Sequence, residues 1–314
     1  MGTDLANPFS WSRSRVGCFD ECRRKYYLRY YLHWGGWESG APAERKQAYL
    51  LGKMTNLAML AGSAVHEVLA RHFRSLRAGR PVPLDPEEPV RIMRRAWRDN
   101  QAEKWRLNPK KHPPLFELYY DRVPPDGKLR EIADKARAAV AALSGQDLYG
   151  ALKSARREDF LWIDTAGGAF SEATRFSVGP WEAISNPDLV VAVGDRALII
   201  DWKTGTPRDQ DRLQLAADGL WARERLPGYE ALEGCLVYLS RGDSETFDLE
   251  DALLEDTRRT VHEDMERMSR CLQDPENNVP LDRSSFPLHN NQRYCNYCQF
   301  QEICFPERGA EEYA

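Results

Sequence analysis

Two predicted strands joined by a tight turn carry the polar residues that most constrain this chain. The apolar runs 187–193 and 196–202 flank a turn at Gly194, so we expect them to pair as an antiparallel hairpin. Asp188 opens the first strand, and Asp201 lies thirteen positions further on, near the far end of the second. Antiparallel pairing therefore brings both carboxylates to one edge of a sheet.

Lys203 follows Asp201 by two residues, and strand side chains alternate with a period of two, so both side chains point to one face. Carboxylate oxygens are the ligands that Mg²⁺ and Mn²⁺ prefer. Such an ion polarises a phosphodiester and lowers the pKa of bound water, and a nearby ammonium orients that water. Asp-x-Lys alone is most often a surface turn. With Asp188 beside it, the pattern indicates metal-dependent hydrolysis of nucleic acid.

The chain changes character near residue 158. We expect a helical region at 1–157, an α/β core at 158–285 and a cysteine-rich segment at 286–314. Apolar residues at three- and four-residue spacing predict helices, whereas short alternating or apolar runs predict strands. The predicted helices are 10–32, 58–78, 91–105, 128–143, 213–225 and 249–272, and the predicted strands are 160–163, 176–184, 187–193, 196–202 and 234–239.

Composition excludes several classes of protein. The 314 residues carry a net charge of −4, with 42% hydrophobic residues and a mean hydropathy of −0.62, which excludes a polycation, a disordered tail and a membrane protein. The start of the chain lacks the pattern of a secretory signal, so we expect a cytoplasmic location and no membrane partner. Residues 71–111 hold twelve Lys and Arg against five acids. Such a block is usually a solvated helical face, and it is compatible with a phosphate track.

Cysteine spacing gives a second signal, for a metal or cluster site. Thiolates this close together are ligands for Zn²⁺ or a [4Fe–4S] cluster, each of which takes four. Disulfides are not expected in a cytoplasmic chain. Three ligands come from the closely spaced C-terminal cysteines, Cys295, Cys298 and Cys304, so a fourth is missing. The cysteines are Cys18, Cys22, Cys235, Cys271, Cys295, Cys298 and Cys304.

The hairpin motif resembles the PD-(D/E)xK nuclease superfamily. Pro187-Asp188, the turn and Asp201-Trp202-Lys203-Thr204-Gly205 are most similar to its RecB-like branch, which includes CRISPR-adaptation nucleases and the nuclease domains of recombination helicases. The resemblance implies a restriction-endonuclease-like α/β core, with a small mixed sheet flanked by helices and a large helical N-terminal elaboration. It covers about two-thirds of the chain and leaves residues 78–158 without a matching motif.

Two further motifs of this branch imply site residues. Gly62-Ser63-Ala64-Val65-His66 resembles the first motif, whose histidine reaches the metal, and Gln214 resembles the fourth, Gln-x-x-x-Tyr, although Asp218 stands at the tyrosine position. The resemblance thus implies a Mg²⁺ or Mn²⁺ site and a set of catalytic residues. The implied metal ligands are His66, Asp188, Asp201 and the Trp202 carbonyl, and the implied catalytic residues are Asp188, Asp201, Lys203 and Gln214.

The N-terminal segment resembles RecB-like nucleases that bear an iron–sulfur cluster. Ser12-Arg13 followed by Cys22 and by Tyr26-Tyr27 matches their first cysteine motif, with Arg23 where proline is usual. The resemblance implies a [4Fe–4S] cluster that the C-terminal segment completes. Cys18 is the rival N-terminal ligand, and Zn²⁺ is the rival group. The implied cluster ligands are Cys22, Cys295, Cys298 and Cys304.

The function that follows is a metal-dependent deoxyribonuclease, expected to act as an exonuclease on single-stranded DNA or duplex ends. Repair, recombination and anti-phage or CRISPR-type defence are the expected settings, with a helicase or a defence complex as a candidate partner. The chain lacks the phosphate-binding motif of a helicase. The alternative is a non-catalytic DNA-binding or scaffold subunit of such a complex. The intact set of Asp188, Asp201 and Lys203 favours an enzyme.

Overall fold

A computed structural model describes residues 7–164 and 171–306, and it confirms the mixed α/β class. The α-helices are α1 (Arg13–Glu21), α2 (Arg23–Tyr27), α3 (Ala43–Gly52), α4 (Leu57–Arg77), α5 (Glu88–Gln101), α6 (Phe116–Tyr119), α7 (Asp126–Ser144), α8 (Asp147–Ser154), α9 (Asp209–Arg225), α10 (Asp251–Ser269) and α11 (Gln301–Cys304). The strands are β1 (Ser10–Trp11), β2 (Phe160–Ile163), β3 (Arg175–Val178), β4 (Trp181–Ile184), β5 (Leu189–Val193), β6 (Arg196–Lys203), β7 (Ala231–Tyr238), β8 (Asp243–Asp248), β9 (Leu272–Asp274) and β10 (Val279–Pro280).

The chain divides into two compact units, each built from separate stretches of sequence. Unit 1 takes the described residues of Met1–Leu57, Arg95–Pro124 and His262–Ala314. Unit 2 takes those of Ala58–Arg94 and Pro125–Val261. None of the described helices is long and apolar enough to cross a membrane.

Unit 2 contains a five-stranded mixed sheet in the order β2-β5-β6-β7-β8. β5 is antiparallel to both β2 and β6, β6 is parallel to β7, and β8 is antiparallel to β7. Parallel neighbours need a crossover connection, and α9 provides it between β6 and β7. The turn between β5 and β6 contains Gly194 at φ +65°, a left-handed conformation that glycine adopts without strain. The predicted hairpin is thus confirmed.

The core of unit 2 lies between the sheet and helices α4 and α7. α4 is amphipathic, and its apolar side chains, including Val65, Leu69 and Phe73, pack on strands β5 and β6. Phe73 stacks on Trp202 with ring centroids 5.7 Å apart and 7° between the planes. The indole of Trp202 therefore belongs to the core, which leaves only its backbone for the site at the strand edge.

Unit 1 begins with helices that differ from the single predicted helix over 10–32. Ser12 caps α1 by accepting a hydrogen bond from the Arg15 amide at 3.2 Å. Cys22 has extended backbone (φ −160°, ψ 118°) and ends α1, and its sulfur then accepts from the Lys25 amide at the start of α2. The continuous helix was wrong, because the spacing of apolar residues carries no information about a one-residue break.

Residues near both ends of the described chain share one core in unit 1. Leu28 and Leu51 pack with Phe300 and Ile303, all of them buried. Arg24 adds hydrogen bonds from its amide to the Pro287 carbonyl at 3.1 Å and from Nε to the Phe286 carbonyl at 2.7 Å. The N-terminal helices and the C-terminal segment are thus held together by packing and hydrogen bonds.

Candidate active site

Three carboxylates lie at the ends of three neighbouring strands of unit 2. The register pairs Leu189 of β5 with Ile200 of β6, so the next pair outward is Asp188 and Asp201. β2 pairs with β5 on the other side, and the Asp164 amide donates to the Asp188 carbonyl at 2.9 Å. The hairpin spacing predicts the first pair, whereas Asp164 was missed. The signal that would have indicated Asp164 is its position directly after the predicted strand 160–163.

Asp188 is held by two donors from different elements. Its Oδ1 lies 2.8 Å from His66 Nδ1 on α4, and its Oδ2 accepts from the Trp202 amide at 2.8 Å. Burial raises the pKa of Asp188, but His66 and these hydrogen bonds outweigh it, so the pKa falls below its ordinary value. Burial lowers the pKa of His66, but Asp188 outweighs it and raises that pKa to about 9. The two groups form an ion pair when His66 is protonated.

Asp201 is the carboxyl group on which this site disfavours a negative charge most. It is almost fully buried, and burial followed by the neighbouring Asp188 raises its pKa well above the ordinary value. Lys203 forms an ion pair with Asp201 and also donates to Gln214 Oε1 at 2.9 Å. Burial lowers the pKa of Lys203, but Asp201 outweighs it and the net shift is upward. The ammonium therefore stays protonated at neutral pH.

The arrangement comprises adjacent carboxylates at a strand edge, an ammonium two residues beyond them, and a glutamine on the following helix. A model of the PD-(D/E)XK nuclease superfamily matches residues 10–305. The chain belongs to the PD-(D/E)XK nuclease superfamily. A search of curated proteins found no match.

Membership of the PD-(D/E)XK superfamily indicates a nuclease that hydrolyses phosphodiester bonds, and its members typically use Mg²⁺ or Mn²⁺. The donor set fits such an ion: two carboxylates and the Trp202 carbonyl supply hard oxygens, and His66 adds a nitrogen. A cation would also offset the repulsion that raises the pKa of Asp201. Within residues 7–164 and 171–306, no three His, Cys, Asp or Glu side chains already surround a common metal position. Instead, His66 pairs with Asp188 and Lys203 with Asp201.

Two further acids near the PD-(D/E)XK residues were not assigned roles from sequence. Asp211, in the first turn of α9, lies 3.7 Å from Lys203 Nζ. Asp218, one turn beyond Gln214, is 3% exposed and accepts a hydrogen bond from the Ser185 hydroxyl. Burial raises the pKa of Asp218 to about 7. The carboxyl at the expected tyrosine position is therefore buried, and it is among the groups that raise the pKa of Asp201.

The cysteines expected to hold a cluster all belong to unit 1. Burial raises the pKa of the Cys304 thiol to about 12, and Cys298 and then Cys22 add to that shift. Cys298 and Cys304 pack beside the core around Leu28. Cys295 is buried, one 3₁₀ turn before Cys298. Soft thiolates in an apolar setting fit a cluster by donor chemistry.

The rival ligand Cys18 lies nearby. Burial raises the pKa of its thiol to about 12, and Cys298 is among the groups that add to the shift. Cys235 and Cys271 were not predicted as ligands. Cys235 lies on β7 in unit 2, and the charged group that acts on the Cys271 thiol is Arg23, which lowers its pKa against the effect of burial. The choice between Cys18 and Cys22 therefore falls to experiment.

Proposed function

We propose that the protein is a Mg²⁺- or Mn²⁺-dependent deoxyribonuclease that removes nucleotides from single strands or duplex ends. The observation that carries the proposal is the meeting of Asp188, Asp201, Lys203 and Gln214 at one edge of the sheet, in a chain of the PD-(D/E)XK superfamily. A non-catalytic scaffold has no chemical need for this whole set.

His66, Asp188, Asp201 and the Trp202 carbonyl are the residues that would hold the metal. When bound, the ion polarises the scissile phosphate and lowers the pKa of a water. The Trp202 amide fixes one oxygen of Asp188. His66 loses its proton on becoming a ligand, and because its pKa is raised to about 9, metal binding is weaker at low pH.

Lys203 acts as a charged donor in this mechanism. Its raised pKa keeps the ammonium protonated, so it orients the attacking water and stabilises negative charge developing on the phosphate, and it does not act as a base. Gln214 accepts one of its hydrogen bonds at 2.9 Å and holds the ammonium in position. Lys203 lies at the strand edge on the hairpin, and Gln214 lies beside it on the crossover helix α9.

Cleavage of end-labelled linear DNA and closed circular DNA, single-stranded and duplex, tests the proposal. Lys203→Ala should lower cleavage by about 10²- to 10³-fold, the range for removal of one charged donor to a transition state. Lys128→Ala, which removes an exposed lysine paired with Glu131, is the control and should cleave normally. Circular DNA should resist an exonuclease. Binding without cleavage in either metal would instead establish the scaffold role, and preferential cleavage of RNA would overturn the substrate.

We also propose that Cys22, Cys295, Cys298 and Cys304 hold a [4Fe–4S] cluster with a structural role. Cys298 and Cys22 both raise the pKa of the Cys304 thiol, and Cys22 also raises that of Cys298, which supports this proposal. Anaerobically purified protein should contain about four irons and absorb near 400 nm. Cys22→Ser should lose the iron and Cys18→Ser should retain it. The reverse result would make Cys18 the ligand, and zinc in place of iron would exclude the cluster.

We further propose that the nuclease works in DNA repair, recombination or antiviral defence beside a helicase or defence complex. A nuclease that acts on single strands or duplex ends would receive its substrate from a partner that unwinds DNA. Affinity purification from the native host, followed by mass spectrometry, tests this. Recovery of the protein with an ATP-dependent helicase or with defence proteins would support it. Full processive activity of the purified chain on duplex DNA would count against it.

A further inference from the structure

A cavity of about 530 Å³ lies wholly within unit 1, apart from the residues proposed for catalysis. It is bounded by the turn before α3, by α3 itself and by the segment that follows α5. Three aromatic side chains line it: Trp37, Tyr49 and Trp105. Trp37 is 40% exposed although it is a large aromatic residue. Nothing in the proposed cleavage chemistry uses this cavity.

The aromatic rings are fixed by their neighbours. The Trp37 ring meets Tyr49 at a centroid distance of 5.6 Å and Trp34 at 5.1 Å, both edge to face. The loop can approach α3 this closely because position 36 is glycine: an added Cβ at Gly36 would lie 2.5 Å from the Arg45 carbonyl oxygen and from Tyr49 Cβ. A rigid, partly exposed ring loses little freedom when a flat group stacks on it.

Positive charge is concentrated beside these rings. Lys53 Nζ lies 5.2 Å from the centre of the Tyr49 ring. Lys110 directly follows Pro109, which lines the cavity, and burial, then Lys110 and Arg29, lower the pKa of Lys53. Burial, then Lys53 and Arg29, likewise lower the pKa of His33 to about 4. Across the described parts of the chain, no carboxylate lies within 4 Å of Arg29, Lys53 or Lys110.

The cavity wall itself carries one carboxylate, Glu38, and two further cations. Lys46 donates to the Ser39 carbonyl at 2.6 Å, and Arg106 lies over the Trp105 ring at 4.4 Å while it pairs with Glu103. Both are therefore already held by protein groups. The uncompensated charge is that of Arg29, Lys53 and Lys110, and a multivalent anion is the ligand that would relieve their repulsion.

We propose that this cavity binds an unpaired base of single-stranded DNA, with the base against Trp37 and Tyr49 and the adjoining phosphates on Arg29, Lys53 and Lys110. Aromatic rings beside a positively charged track are the usual means of holding single strands without sequence preference. An apolar side chain of a protein partner would use the rings but not the cations. The inference rests on the proposed function only in that the strand is the same substrate.

Binding measured in EDTA tests the cavity without cleavage. The probes are a fluorescent 20-nucleotide oligo(dT) and an abasic oligonucleotide of equal length and charge. Trp37→Ala should weaken binding of oligo(dT) about 5- to 100-fold, the range for loss of one base–aromatic stack, and should leave binding of the abasic strand nearly unchanged. Trp37→Phe should restore most of the loss, because it keeps an aromatic ring. Tyr294→Ala, at another exposed aromatic of unit 1, is the control.

Lys53→Ala tests the phosphate track separately. It should weaken binding of both strands and reduce the slope of log affinity against log salt concentration by about 0.7, the value for one phosphate contact on a single strand. Lys128→Ala makes the same change of charge at an ion-paired lysine and should change neither affinity nor slope. Thermal melting of each variant checks that it is folded.

The outcomes separate this inference from the proposed nuclease. Unchanged binding of both strands by folded Trp37→Ala and Lys53→Ala overturns the cavity as a DNA site, even if the protein cleaves DNA. If Trp37→Ala weakens binding of oligo(dT) and of the abasic strand equally, the base does not bind in the cavity. Base-dependent loss in a protein that cleaves nothing would support the cavity and refute the nuclease. Binding of thymidine monophosphate as tightly as of oligo(dT) would overturn the strand as the ligand.

Discussion

Gln214 connects helix α9 to the reacting edge of the sheet through a single hydrogen bond to Lys203. Its amide oxygen accepts from a charged donor, and such bonds contribute about 1.5 to 3 kcal/mol. If the glutamine positions the ammonium, its loss raises the barrier of the chemical step more than it weakens substrate binding.

We therefore expect Gln214→Ala to lower kcat about 10- to 100-fold with a smaller change in KM, and Gln214→Glu, which keeps an acceptor, to recover part of the loss. Steady-state kinetics on a labelled single strand measures this. Gln101→Ala, at an exposed position, is the control. A change confined to KM would show that Gln214 contacts the substrate and does not position Lys203.

Asp218 predicts a pH dependence of stability. Burial raises its pKa from 3.8 to about 7, so the folded protein binds a proton that the unfolded chain has already released above pH 4. The free energy of unfolding therefore falls as pH rises from about 4 to about 7. Asp218→Asn removes this dependence because an amide does not ionise.

Relative to the wild-type protein, the free energy of unfolding of the variant should rise by about 2 to 4 kcal/mol as the pH increases from 4 to 8, since one pKa unit corresponds to about 1.4 kcal/mol. Urea unfolding at several pH values measures it. Asp195→Asn, at an exposed turn, should follow the wild-type curve. Parallel curves for Asp218→Asn and the wild-type protein would show that Asp218 is ionised in the folded state.

At the scale of elements, the position of α9 depends on the missing side chain of Gly234. An added Cβ there would lie 2.8 Å from Leu215 Cδ2, and Leu215 adjoins Gln214 on the helix. Gly234→Ala should therefore push α9 away from β7, cost about 1 to 3 kcal/mol of stability and lower kcat.

The double variant Gly234→Ala with Leu215→Ala removes the clash, so it should recover part of the lost kcat even if its stability stays low. Circular dichroism and cleavage assays measure the two effects. Gly228→Ala, where an added Cβ meets nothing within 4 Å, is the control. Normal cleavage by Gly234→Ala would show that β7 does not set the position of Gln214.

The elements that sequence predicts well are those with a buried face. β5 and β6 bury most of their side chains and are joined by a glycine turn, so their pairing and register were predictable. β8 was missed because it lies at the edge of the sheet and buries none of its six residues fully. The predicted strand 176–184 is two strands, β3 and β4, joined at Gly179 with φ +58°. Helix α3 was missed because it buries only Ala48 and Leu51.

The same reasoning separates the predictable part of the site from the rest. Asp188, Asp201 and Lys203 follow one another along a single hairpin, so local spacing brings them together. His66 comes from a helix more than a hundred residues earlier, and only the family motif indicated it. Asp211 reaches the site at a helix start, which no local pattern reports. Asp164 reaches it through lateral strand pairing, and its place directly after the predicted strand 160–163 is its only sequence signal.

At the scale of the whole molecule, each unit has a core of its own, and the two cores can be perturbed separately. Phe300 is fully buried in unit 1 and Phe73 in unit 2. Truncation of either ring to alanine should cost about 3 to 5 kcal/mol. Because Phe300 packs with Leu28, which directly follows α2, and with Leu51 of α3, Phe300→Ala should increase amide exchange first at the end of α2 and in α3.

Phe73→Ala should instead increase exchange first in α4 and β6, because Phe73 stacks on Trp202. Each variant serves as the control for the other in hydrogen exchange followed by mass spectrometry. Increased exchange in α4 and β6, but not in α2 and α3, with Phe300→Ala would contradict this assignment of the cores.

The packing of Leu28 against Phe300 sets an order of events during translation. Ribosomes add about 5 to 20 residues per second, so roughly 15 to 55 s separate the synthesis of these two side chains. All segments of unit 2 leave the ribosome in that interval, whereas the N-terminal helices of unit 1 wait for residues 262–306. The nascent chain therefore exposes an incomplete apolar surface around Leu28 for most of its synthesis, and a chaperone that binds early apolar segments would find its main target there.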